Sequence, residues 1–120
     1  MTHGIIFEPD PLCRQTLEAA LASLYWSITT AETLAEVEGL LPGPWAALVA
    51  IESGDVAALE AIRNMREAAP GIVICALVDE HSPDFDRQLE AAGASTVFAK
   101  PVAETEIVQA VVAGFMARRS

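Results

Sequence analysis

A chain of 120 residues is the size of one domain, long enough to bury about two thirds of its unfolded surface around a single core. Its hydrophobic fraction of 52% excludes intrinsic disorder, and no apolar run reaches the ~20 residues of a membrane helix, so a soluble domain is expected. A formal net charge of −10 opposes nucleic-acid binding, which depends on Lys and Arg neutralising phosphates.

The first ten residues lack Lys and Arg, and their apolar stretch, Gly4 to Phe7, is too short for a secretory signal, so a cytoplasmic location is the default expectation. Cys13 and Cys75 both sit in apolar patterns and read as small buried thiols rather than a disulfide. His3 and His81 have no cysteine or histidine at ligand spacing and no CxxC occurs, so no metal site and no cofactor are expected.

Short apolar runs alternate with longer stretches at helical spacing, the pattern of βα units around a buried parallel sheet. Strand one is Gly4 to Phe7; Asp10 then Pro11 give a cap and a preset first helical residue. Helix one runs to about Leu24, with Cys13, Leu17, Ala20, Leu21 and Leu24 on one face. Tyr25 to Ile28 reads as strand two, and Thr29 with Glu32 forms a capping box for a helix carrying Leu34, Val37 and Leu41. Pro42-Gly43-Pro44 stops that helix, and Trp45 to Ile51 is strand three.

Asp55 caps helix three, whose stripe is Val56, Leu59, Ile62 and Met65, and Pro70-Gly71 ends it. Strand four is Ile72 to Leu77, followed by a loop from Val78 to Pro83. Ser82-Pro83 begins helix four, which carries Phe85, Leu89 and Ala92 and ends at Gly93. Strand five is Ser95 to Ala99, and Ala103 to Ala117 is helix five, before a polar tail Arg118-Arg119-Ser120. No repeat or linker interrupts the series, which predicts one domain over 1–120 of (βα)5 doubly wound architecture. In such sheets ligands bind beyond the carboxyl ends of the strands.

The stretch Ala91-Ala-Gly-Ala-Ser-Thr-Val-Phe-Ala-Lys100-Pro101 resembles the end of bacterial two-component receiver domains, in which AGA, a strand and KP recur, and the chain's one lysine falls on that KP. Ile5-Ile-Phe-Glu-Pro-Asp-Pro-Leu-Cys-Arg14 resembles the receiver opening. The resemblance implies a flavodoxin-like, CheY-like sheet of strand order 2-1-3-4-5 and a cis peptide between Lys100 and Pro101.

Carried over residue by residue, the resemblance implies a degenerate phosphorylation site. Glu8 matches the first metal-holding acid and Pro9 replaces the second. Asp10, one position on, stands as a helix cap or as a cation contact. Ala50 falls on the phosphoacceptor aspartate, and a methyl group cannot accept phosphate. A register shifted by two would instead place Glu52 there, as a built-in mimic of the charged site. Cys75 falls on the hydroxyl position after strand four, and Val97 on the switch aromatic, with Phe98 facing the other way. Lys100 is retained.

Two uses of such a scaffold stand open, and neither requires an enzyme. One is a phosphorylation-independent pseudo-receiver that binds another signalling protein, or a second copy as a homodimer, through helix four, strand five and helix five. Its candidate surface is Val97, Phe98, Pro101, Val108, Val112 and Met116, because the apolar arc of helix five is broader than one buried face needs. The other is a small-molecule sensor using a pocket lined by Glu8, Ala50, Cys75 and Lys100. Neither nucleic acid nor membrane is expected as a partner.

Overall fold

In the computed structural model, which describes residues 2–118, five parallel strands alternate with five helices. The strands are β1 (His3–Phe7), β2 (Ser27–Ala31), β3 (Ala46–Ile51), β4 (Val73–Val78) and β5 (Thr96–Ala99), ordered β2-β1-β3-β4-β5. The helices are α1 (Pro11–Ser23), α2 (Leu34–Gly39), α3 (Val56–Ala68), α4 (Pro83–Ala92) and α5 (Glu104–Arg118). Of the predicted tail, only the backbone of Arg118 is described; the rest lies outside the described residues.

Both faces of the sheet are covered because alternate side chains of the central strands point to opposite layers. Ile5, Ala47, Val49, Ile74, Ala76 and Val78 meet Val37, Leu59, Ile62, Met65, Phe85 and Leu89 of α2, α3 and α4. Ile6, Leu48, Cys75 and Leu77 meet Leu17 and Leu21 of α1 and Ile107 and Val111 of α5. Close approach on the second face depends on Gly114, where an added Cβ would lie 2.7 Å from a methyl of Val73.

The predicted caps of α1 and α3 form: Asp10 accepts from the Leu12 amide at 3.1 Å and Asp55 from the Ala57 amide at 3.0 Å. Ser82 precedes α4 as expected, but its side chain makes no capping bond.

Strand two is displaced from its predicted position. Tyr25 and Trp26 belong to a helix-ending turn in which the Tyr25 amide donates to Ala22 and the Trp26 amide to Leu21, satisfying carbonyls that α1 leaves open. Tyr25 takes the left-handed position of that turn, φ 59°, and is 93% exposed. Consequently Thr29 lies within β2, its hydroxyl 2.6 Å from His3 Nε2, and does not cap. The cap of α2 is Thr33, which accepts from the Glu36 amide at 3.1 Å, while Glu36 accepts from the Glu32 amide at 2.9 Å.

Strand four runs one residue beyond its predicted end. Every side chain from Val73 to Val78 is buried, so Val78 completes the strand and the loop before α4 is shorter than expected.

Candidate functional site

At the carboxyl ends of β1 and β3, where the strand order reverses, the loops enclose a cleft of about 640 Å³. Phe7, Leu34, Ala50 and Ile51 contribute apolar surface to it. Glu8, Asp10, Glu32, Glu52, Asp55 and Asp79 contribute carboxylates, against a single cation, Lys100.

Glu8 is the buried one of these acids because β1 delivers it directly into the wall. Its side chain is 1% exposed, and the Lys100 ammonium approaches one carboxylate oxygen at 2.8 Å and the other at 2.7 Å. The first oxygen also accepts the Asp10 amide at 3.0 Å. Lys100 reaches Glu8 from the end of β5, where the peptide to Pro101 is cis, as the resemblance implied. The pair therefore neutralises itself, leaving the rest of the cleft acidic.

The parallel register of β1 and β3 pairs Phe7 with Val49, so Ala50 follows beside Glu8 at the mouth of the sheet. Glu52 stands two residues further, past the strand end and exposed. Pro9 and Asp10 also line the cleft, Asp10 while capping α1.

Cys75 is not part of this group. It lies in the middle of β4, fully buried between its register partners Leu48 and Thr96, three residues short of the strand end. The expectation that it occupies the hydroxyl position is corrected: Val78, beside Ile51 and Ala99, ends the strand there. Burial pushes the Cys75 thiol up to about 12; burial and then the negative charge of Glu8 push Cys13 up to about 11. Both remain protonated at neutral pH, and thiolate chemistry is suppressed.

The candidate interaction surface also divides. Val97 packs against the α2–α4 core and Phe98 against the α1–α5 core, and both are half-buried. Val108 is half-buried, while Pro101, Val112 and Met116 are exposed. Among the described residues, no helix is long and apolar enough to cross a membrane and no group of three or more metal-ligating side chains occurs.

Sequence reasoning missed Asp79, which accepts the Ser53 amide at 2.8 Å and thereby ties the β3–α3 turn to the end of β4. That hydrogen bond holds its carboxyl below the usual carboxylate range. The available signal was its position immediately after a long apolar strand, the place where receivers and other doubly wound sheets build sites.

No protein-family model matches the chain, nor does any curated protein. Solved structures do share its fold. A CheY-like response regulator from Mesorhizobium loti is 21% identical with a TM-score of 0.72, over 94% of this chain and 98% of that one. A CheY-like response regulator receiver domain protein from Methanospirillum hungatei is 16% identical with a TM-score of 0.84, over 99% and 97%. A putative CpaE2 pilus assembly protein from Sinorhizobium meliloti is 16% identical with a TM-score of 0.78, over 94% and 99%. At these identities the likeness is one of architecture, and the chain has the fold of CheY-like response-regulator receiver domains.

Proposed function

We infer that this domain is a pseudo-receiver: a signalling module that binds another protein without being switched by phosphorylation, and that is not itself an enzyme. The observation that carries the reading is Ala50, which lines the cleft beside the Glu8–Lys100 pair where an acyl-phosphate chemistry needs a carboxylate nucleophile. Pro9 instead of a second acid, and Val78 instead of a hydroxyl at the end of β4, support the same reading. Lys100 is held by Glu8 rather than standing free to meet a phosphoryl group. The occurrence of this fold in a protein named for pilus assembly supports a receiver scaffold serving as an assembly part.

The test is incubation with acetyl phosphate and magnesium, read by intact mass. No phosphoryl increment is expected, and none in Ala50→Asp either, because the second acid and the hydroxyl are absent as well. A stable increment on the unmodified chain, mapped to Glu52 or another carboxylate, overturns the reading. Tryptophan fluorescence is a poor substitute, since Trp26 and Trp45 both pack on Phe115, at the opposite end of the strands from the cleft.

A further inference from the structure

We propose that the cleft receives an arginine side chain presented by the partner protein; the proposal rests on the interaction-module reading and names the chemistry of that partner. The cleft has two properties that together select such an occupant. Its inner surface is apolar, through Phe7, Leu34, Ala50 and Ile51, and its volume of about 640 Å³ is that of a ligand pocket, for which ~300–1,000 Å³ is usual. Its rim carries Asp10, Glu32, Glu52, Asp55 and Asp79, with the single lysine already paired to Glu8.

Three of the five rim carboxylates are held in place by hydrogen bonds. Asp10 is fixed by the Leu12 amide, Asp55 by the Ala57 amide, and Asp79 by the amides of Ser53 and Glu80. Each of these bonds uses one carboxylate oxygen and leaves the other to accept from a ligand. Negative potential is therefore set in place before binding, with little reorganisation left to oppose it. Anions, including phosphate, are repelled by the same arrangement.

Arginine fits this combination better than lysine or a simple ion. Its three-carbon stem suits the apolar inner wall, and its planar head is weakly hydrated and donates in several directions at once. Ala50 leaves the depth free, because a methyl group stands where a longer side chain would fill the space.

The experiment is an NMR titration with acetyl-Gly-Arg-Gly-Arg-amide, beside the same peptide carrying citrulline, which keeps the shape of arginine without its charge. Saturable shifts are expected at the amides of Ala50, Glu52, Ser53 and Asp79 with arginine and not with citrulline. The double variant Glu52→Gln/Asp79→Asn, which keeps the acceptor for the Ser53 amide, should weaken binding roughly tenfold. Glu67→Gln/Glu90→Gln, with the same charge change on the exposed faces of α3 and α4, should leave it unchanged. Equal weakening by both pairs, shifts scattered over the surface, or no shifts at all would overturn the proposal. These results are independent of the phosphoryl mass measurement, so failure of either idea is distinguishable from failure of the other.

Discussion

Glu8 is buried with a partial escape route: its carboxylate is enclosed, but the lysine that neutralises it keeps a quarter of its side chain in solvent. Removing one member of a buried pair costs more than removing both, because the survivor is left charged without compensation. Lys100→Met is therefore expected to destabilise the domain by about 3 kcal/mol in urea unfolding, and Glu8→Met/Lys100→Met to recover most of that loss. Equal destabilisation by the single and double variants would mean that the two side chains are not coupled. The pairing was half legible in the sequence. One lysine in the whole chain and an acid ending the first strand pointed to the same spot, but which acid the lysine meets depends on how β1 and β5 approach the cleft through the tertiary fold. Cys75 failed for a related reason. The predicted end of the strand, Leu77, lies one residue short of the observed one, but the alignment placed Cys75 two residues inside that end, within a run of uniformly buried side chains that carries no internal marker.

Among the elements, the starts of α1 and α3 were read directly, while the cap of α2 was placed at Thr29 instead of Thr33 and the turn after α1 was taken for the beginning of strand two. Asp10-Pro11 and Asp55 carry their own side-chain chemistry, whereas the end of α1 is a backbone motif occupied by a residue that does not advertise it. Tyr25 sits at the position that usually holds glycine, and the left-handed conformation costs an L residue about 1–2 kcal/mol. Because its ring is almost wholly exposed, little packing is lost on truncation. Tyr25→Gly should raise stability by about 0.5–1 kcal/mol, part of the relief being offset by the greater freedom of glycine in the unfolded chain; a melting temperature that falls would show that the ring contributes packing. Toward the opposite edge of the sheet Arg66 does comparable work with a side chain, donating to the carbonyls of Pro70, Ile72 and Gly93 and so tying the end of α3 to the turn before β5. Nothing in local sequence distinguishes it from an exposed helix arginine.

For the molecule as a whole, the layering followed from the alternation of runs, since a parallel sheet must be covered on both faces, whereas the strand order was what the receiver resemblance implied. The outer surface did not follow so directly. Helix five was expected to show a wide apolar arc, and the structure narrows it: Ile107 and Val111 are buried, and Val112 and Met116 remain 40% and 59% exposed. If this strip meets a partner or a second copy, Val112→Glu/Met116→Glu should abolish the association in sedimentation or pull-down while changing unfolding free energy by less than about 1 kcal/mol. Loss of stability with no change in association would assign the strip to packing alone.

The Glu8–Lys100 contact joins residues 92 apart in the chain. On the ribosome, β1 emerges with a carboxylate destined for the interior, yet its counter-charge is made only after four further helices and four further strands. A central strand thus stays electrostatically unfinished until β5 has been made, so commitment of this domain to its native state waits for that strand.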